Sequence, residues 1–295
     1  MPNIDRQAVI VLGMHRSGTS AVAGTAVRLG LAGPLTQLPA SADNPGGFYE
    51  SHPVVRINHQ LLRKADCAWN VCLMFDPDRI DDTLIASERA YIVQTLVREF
   101  GDAPAFVMKD PRLCLTLPAW MPALTAVGTR VAALIVIRHP AEVVRSLAVR
   151  NQLGEADTAP HWLHHMLEAE RVSRGLDRAV VLYDDLLRDW RSCIAEAGRR
   201  AGINWPRPIE QAGADIDRFL LGSSRHHSAG NADAMVGPAS VRDMINAVWI
   251  ALRRLADNPQ SSGALDCLDH VRVQFAAWRR VACPPGSKAV FQDNG

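Results

Sequence analysis

The sequence predicts a three-layer α/β/α molecule around a central parallel sheet, with a helical extension at its C-terminal end. Two observations predict it. Short, mostly apolar runs at Ala8–Leu12, Ala105–Lys109, Val131–Ile137 and Ala179–Tyr183 alternate with longer stretches of helical periodicity, the pattern of strands joined by crossover helices. The run Val131–Ile137 is apolar throughout, as a strand covered on both faces must be.

The elements follow in order. Ala8–Leu12 is the first strand, and Thr19–Leu29 the first helix, with Ser17 or Thr19 as its cap. Residues 31–53 carry many Pro and Gly and read as a loop. Val54–Lys64 is helical, with Val54, Ile57, Leu61 and Leu62 on one face, and Ser87–Phe100 aligns Ile92, Leu96 and Phe100. A buried strand over Ala105–Lys109 precedes a helix over Pro118–Val127. The central strand leads into a helix over Pro140–Asn151, with Pro at a first-turn position. Ala159–Arg174 is helical, Ala179–Tyr183 a strand, and Asp185–Ala201 one further helix. Beyond residue 230, Ser240–Asp257 places Val241, Met244, Ile245, Val248, Leu252 and Leu255 on one face, and Ala264–Arg280 does the same with Leu265, Leu268, Val271, Phe275 and Trp278. With Asn258–Gly263 as the turn, this is a helical hairpin. An apolar stripe of this kind normally faces a core; a dimer surface, hence an oligomer, or a lid over an acceptor is the alternative. The expected division is 1–235 for the α/β domain and 236–295 for the extension packed on it, with residues from Pro284 onward a loose end.

Composition narrows the function classes. The chain has 295 residues, 48% hydrophobic and 21% charged, with a net charge of +1, so there is no broad electrostatic footprint for nucleic acid. Its six Cys form no C-x-x-C pair and no zinc spacing, which suits reduced core thiols in a cytoplasmic protein. Residues 1–6 lack the basic-then-apolar pattern of a signal peptide, and no apolar run is long enough to span a bilayer. No metal-binding group of acidic residues is evident.

Chemistry concentrates at Gly13-Met-His-Arg-Ser-Gly-Thr-Ser20. Strand, Gly-bounded loop and helix in that order make a phosphate cradle, since loop amides and the positive helix end face one anion. The spacing fits the P-loop frame G-x-x-x-x-G-K-[ST] except that Thr19 stands in place of the Lys. That Lys normally reaches the β/γ-phosphates, so its absence argues against ATP or GTP. Arg16 is the nearest basic replacement. In a P-loop-like sheet, ligands bind at the carboxyl ends of the strands, where Gly13–Ser20, Asp110–Arg112, Arg138 and Asp184–Asp185 converge. Ser146 lies eight residues after Arg138, about two turns into the next helix. A strand-end Arg with a helix Ser can hold a second phosphate.

Gly13–Ser20 together with Arg138-His-Pro-Ala-Glu-Val-Val-Arg-Ser146 resembles the sulfotransferases that use 3′-phosphoadenosine 5′-phosphosulfate (PAPS). Asn44-Pro-Gly-Gly-Phe-Tyr-Glu50, Lys109-Asp-Pro-Arg112 and Ser223-Ser-Arg-His-His227 are similar to segments of the family's bacterial, carbohydrate-type branch. The resemblance covers roughly residues 8–230. It implies transfer of a sulfuryl group from PAPS to an acceptor hydroxyl on a glycan, a glycolipid or a small molecule, without a metal. It assigns the 5′-phosphosulfate to the first motif (His15, Arg16, Ser17, Gly18, Thr19, Ser20) and the 3′-phosphate to Arg138 and Ser146, with Arg225 in the late basic loop. Arg16 would stabilise charge on the bridging oxygen, and Lys109 the transferred sulfuryl oxygens.

The acceptor must lose a proton, a role for a positioned carboxylate or His. Glu50 is the first candidate; capping of the following helix is its alternative reading. His15 is the other candidate base, or a loop-shaping hydrogen-bond partner. His161, His164 and His165 share one helix, and without a third ligand they read as a solvated or acceptor-facing face. Arg112 either contacts ligand or pairs with Asp110. Tyr183 could touch adenine or simply pack, and Trp69, Trp120 and Trp162 read as packing. Acceptor loops are expected at 31–53, 66–82 and 151–165. Two other readings compete: a nucleotide kinase or other P-loop phosphotransferase, against which Thr19 counts, and a non-catalytic nucleotide-binding module, which has no need of Arg16, Ser17, Arg138 and Ser146 together.

Overall fold

The computed structural model describes residues 6–41, 44–65, 67, 75, 88–151, 154–222 and 236–282. Four parallel strands, β1 (Arg6–Leu12), β2 (Ala105–Lys109), β3 (Thr129–Ile137) and β4 (Asp177–Leu182), lie in the order β2-β1-β3-β4. Their side chains alternate between two cores. Ala8, Ile10 and Leu12 of β1 enter one hydrophobic cluster, and Val9 and Val11 the other. Both faces therefore need helices.

On one face pack α1 (Thr19–Arg28), α7 (Tyr183–Arg188), α8 (Trp190–Arg200) and α9 (Ile209–Gly222); on the other, α2 (His52–Lys64), α3 (Arg89–Phe100), α4 (Leu113–Ala126), α5 (Pro140–Asn151) and α6 (Glu155–Val172). The C-terminal pair α10 (Ala239–Asp257) and α11 (Ser262–Ala282) adds Val241, Ile245, Val248, Leu268 and Phe275 to the second cluster. Helix α10 packs on α6 and beside the edge strand β4. The architecture is the predicted three-layer α/β/α. No helix among the described residues is long and apolar enough to cross a membrane.

Several elements differ from expectation. The first helix takes Gly18 as its N-cap, in a left-handed conformation with φ of 92° and no side-chain cap bond, instead of Ser17 or Thr19. Helix α4 begins at Leu113 and continues through Pro118 and Pro122. Each Pro removes one amide, but Leu113, Leu115, Leu117, Trp120 and Leu124 are buried and hold the helix against its neighbours. In the same way α6 begins at Glu155 and runs through Pro160. The stretch expected as one helix from Asp185 is two: Tyr183 already opens α7, and Asp189 breaks the chain and caps α8 by accepting from the Ser192 amide at 3.2 Å. Helix α9, which the sequence reading did not anticipate, is amphipathic, with Ala212, Ile216 and Leu220 buried.

Candidate active site

The chain runs from β1 to one side of the sheet and later returns to β3 on the other side of β1. The crevice at the carboxyl ends of β1 and β3 is therefore the switch point where α/β sheets bind ligands. Leu12 pairs with Ile135, so the loop after β1 and the residue after β3 are neighbours.

Backbone geometry builds the loop. Gly13 has φ of 146°, and a Cβ there would sit 2.5 Å from the Val136 carbonyl oxygen. Its amide donates to Cys114 Sγ at 3.2 Å; burial pushes the Cys114 thiol up to about 12, so it serves as a neutral acceptor. Gly18 packs on Tyr183, where a Cβ would come within 2.1 Å of the ring. The Ser17 amide donates to the Met14 carbonyl at 3.1 Å. The amides of Gly18, Thr19 and Ser20 have no acceptor among the described residues, as the first amides of a helix normally do not. Ser17 is fully buried and its hydroxyl has no partner among the described residues. Unsatisfied donors of this kind fit an anion seated in the loop.

The second motif meets the first. Arg16 Nε donates to Ser146 Oγ at 2.9 Å, and Arg138 Nη1 donates to the Arg16 carbonyl at 3.3 Å. Arg138 Nε is held by Glu142 Oε2 at 2.6 Å, and its guanidinium lies 5.1 Å from the centroid of the Tyr183 ring. Arg138 and Ser146 are 9% and 3% exposed. Tyr183 thus packs between Gly18 and Arg138.

A buried charge cluster lies beside the loop. Lys109 Nζ donates to Glu50 Oε1 at 2.5 Å and to Ser20 Oγ at 3.2 Å. Arg112 lies 3.9 Å from Glu50 Oε2 and pairs with Asp110 at 2.8 Å. Asp110 also accepts from Asn58 at 2.8 Å and from the Arg112 amide at 3.0 Å. Burial pushes the Asp110 carboxyl up, but the Arg112 guanidinium and these hydrogen bonds outweigh it and hold its pKa below the ordinary value. Arg112 is thus fastened to its own loop. The helix-cap role considered for Glu50 belongs to Ser51, whose hydroxyl accepts from the Val54 amide at 3.3 Å. The two non-glycine residues with positive φ among the described residues are Arg16 at 70° and Tyr49 at 56°. Such strain persists only where surroundings over-determine it, and here both residues border the site.

His15 lies in this cluster. Burial, reinforced by Arg112, His165, Lys109 and Arg150, pushes its pKa well below the ordinary value, so the imidazole is neutral at physiological pH. His161, His164 and His165 are buried, which overturns the solvated half of the expectation of a solvated or acceptor-facing face. His165 Nδ1 bonds the His161 carbonyl at 2.9 Å, and burial drops its pKa to about 4. Its ring stands edge-on to His15, with centroids 6.3 Å apart. Trp120 and Trp162 are fully buried, and Trp120 Nε1 donates to Asn58 Oδ1 at 2.8 Å. Cys67 and Cys114 are buried, while Cys193 and Cys267 are partly so. Arg225, with the rest of Ser223–His227, and Trp69 lie outside the described residues.

The sequence reading missed Asn58, which joins Asp110 to Thr116 and Trp120, and Glu99, whose carboxylate anchors the segment that carries Glu50. A polar residue on the apolar face of α2, between Ile57 and Leu61, was the one available signal for Asn58.

No protein-family model and no curated protein matches the chain. Among solved structures it is similar to the sulfotransferase domain of the olefin synthase from Synechococcus PCC 7002, with 17% identity, 94% of this chain and 97% of that one covered, and a TM-score of 0.42. It is similar to the sulfotransferase STF9 from Mycobacterium avium, with 15% identity, 76% and 69% covered, and a TM-score of 0.40. It is also similar to the sulfotransferase domain of the curacin biosynthetic pathway, with 15% identity, 90% and 98% covered, and a TM-score of 0.40. Likeness at this level carries no inference about what the chain does.

Proposed function

We propose that the chain is a sulfotransferase that moves a sulfuryl group from PAPS to an acceptor hydroxyl on a carbohydrate or glycolipid. The observation that carries this reading is the junction of Arg16, Arg138 and Ser146 beside a phosphate loop that lacks the P-loop Lys. Arg138 and Ser146, brought to the loop from the second motif, add donors for a second phosphate beside the one the loop amides face, which suits a nucleotide with a separate phosphate better than a triphosphate.

The amides of Gly18, Thr19 and Ser20, with the Ser17, Thr19 and Ser20 hydroxyls, hold the 5′-phosphate. Arg138 and Ser146 hold the 3′-phosphate, and Arg225 joins them from the late loop. When bound, PAPS supplies an activated sulfuryl group, whose in-line transfer relies on positioning and charge stabilisation. Arg16 balances charge on the leaving side, and Lys109 faces the sulfuryl oxygens. Glu50 takes the acceptor proton; His15, neutral and within the loop, is the second group able to do so.

The test is calorimetric titration with 3′-phosphoadenosine 5′-phosphate, ADP and ATP, each with and without Mg²⁺. Binding that requires the 3′-phosphate and ignores Mg²⁺ supports the donor assignment. Preference for ATP with Mg²⁺, or no binding of any of the three, overturns it.

A further inference from the structure

We propose that Glu99, on α3 and outside the phosphate loop, is a positioning residue that sets Glu50 against Lys109. Glu99 is 3% exposed, and its carboxylate accepts from neutral donors: the Thr36 amide at 3.1 Å, the Thr36 hydroxyl at 2.8 and 2.9 Å, and the Ser51 hydroxyl at 2.9 Å. The Glu99 carbonyl accepts from the Leu35 amide at 3.0 Å as well.

These contacts clasp a two-stranded ladder. The His52 amide donates to the Thr36 carbonyl at 2.9 Å, the Leu38 amide to the Glu50 carbonyl at 2.8 Å, and Gln37 pairs antiparallel with Ser51. Glu50 sits on the inner strand of this ladder, directly after Tyr49 with its positive φ. A left-handed Tyr costs free energy, so something must hold the turn. The Glu99 clasp is fastened one residue beyond Glu50, at Ser51, and is placed to do so.

Donor directions define the clasp. Ser51 Oγ accepts from the Val54 amide, which leaves its own proton for Glu99. Oε2 of Glu99 accepts from the Thr36 amide and from the Thr36 and Ser51 hydroxyls, while Oε1 faces the Thr36 hydroxyl alone. Glutamine can keep this arrangement, with its oxygen in place of Oε2 and its NH2 donating to the Thr36 hydroxyl. Leucine fills a similar volume and accepts nothing. Glu99→Leu therefore keeps most of the packing and breaks the clasp.

The inference rests on the proposed reading only for what Glu50 does chemically; its geometry and its test do not. The chain has three lysines, Lys64, Lys109 and Lys288. Lys109 is buried on Glu50, whereas the Lys64 side chain is 38% exposed. Acylation of the native protein with an amine-reactive reagent, read by mass spectrometry, reports the Lys109–Glu50 pair directly, with Lys64 as internal control. In the wild type, Lys109 should react at least about tenfold more slowly than Lys64, as a group reached only by local opening does. In Glu99→Leu, Lys109 reactivity should rise several-fold, toward that of Glu50→Ala, with Lys64 unchanged and the affinity for 3′-phosphoadenosine 5′-phosphate unchanged. Should Glu99→Leu fail to fold, Thr36→Val and Ser51→Ala each remove one donor and should each give a smaller rise. The proposal is overturned if Lys109 is as reactive as Lys64 in the wild type, if Glu99→Leu or both donor variants leave Lys109 protected while Glu50→Ala exposes it, or if Lys64 and Lys109 rise together, which is general loosening. Failure of the wild type to bind the nucleotide would sink the donor reading and leave the labelling result standing.

Discussion

Arg138 is the residue on which the donor reading turns, because it is the one strong cation that the second motif brings to the loop. Its guanidinium is oriented by Glu142 and donates to the Arg16 carbonyl, so replacing it removes a charge and one tie to the loop but none of the cradle amides themselves. A hydrogen bond to a charged group contributes about 1.5–3 kcal/mol. Arg138→Ala should therefore weaken 3′-phosphoadenosine 5′-phosphate by about 10- to 100-fold and leave AMP nearly unaffected, as measured by calorimetry. Equal losses for both ligands would remove Arg138 from the 3′-phosphate. At this scale the motif residues were legible, because strand ends and loop glycines announce themselves by pattern. The bond between Arg16 and Ser146, 130 residues apart, was inferable only as a shared edge of the sheet. Glu99 was not legible at all: an acidic residue near a helix end looks like any solvated one until the fold lays residues 35–36 and 51 across it.

At the scale of elements, the joint between α2 and α4 rests on a single amide. Asn58 is fully buried; its Nδ2 donates to Asp110, and its Oδ1 accepts from Thr116 and from Trp120, each at 2.8 Å. Asn58→Ala would take one bond from each of three buried groups; Asp110 keeps Arg112 and the Thr116 hydroxyl keeps the Arg112 carbonyl, but Trp120 Nε1 loses its partner, and an unsatisfied buried group costs about 1–3 kcal/mol. Relaxation and water entry will recover part of the sum, so a loss of about 3 kcal/mol is expected. It should be read as a lower urea midpoint at unchanged slope. The pH dependence has a definite sign. Asp110 has a lowered pKa in the fold, so its contribution is fully present above the unfolded value of about 3.9 and is lost as pH falls through the lower folded value. Asn58 is one cause of that lowering, so Asn58→Ala should also move acid unfolding to higher pH. A variant that matches the wild type in both scans would show the joint to be unimportant. Element types were largely readable from period and strand hydrophobicity. The boundaries that failed share a cause: Pro118, and Ala159 just before Pro160, looked like helix starts, and Asp189 looked like an ordinary helical residue. In each case tertiary burial on both sides, or a side-chain cap, outweighed local preference.

At the scale of the whole molecule, the C-terminal hairpin is tied to the sheet by a buried carboxylate. Glu170 of α6 is fully buried and pairs with Arg174 at 2.7 Å in the turn that follows α6, with Arg178 of β4 at 3.1 Å and with Arg272 of α11 at 3.1 Å. The hairpin also reaches the candidate site, since the Trp249 ring of α10 stands edge-on to His139, next to Arg138, with centroids 5.3 Å apart. A helical extension that merely leaned on a finished domain would have its own core; instead its apolar stripe enters the same cluster as β1 and β3. The molecule should therefore unfold in one calorimetric transition. Glu170→Gln removes the shared partner of three cations, a change worth about 3–5 kcal/mol where the pair is buried. Because the arginines keep partial solvent access, the lower end, about 3 kcal/mol, is expected. That loss should lower the temperature of the whole transition by several degrees without splitting it. Two transitions in the wild type, or a shift confined to one of two in the variant, would mean that residues 239–282 fold as a separate unit. In that case Trp249 would not hold the loop of Arg138, and removing the hairpin would leave nucleotide affinity unchanged.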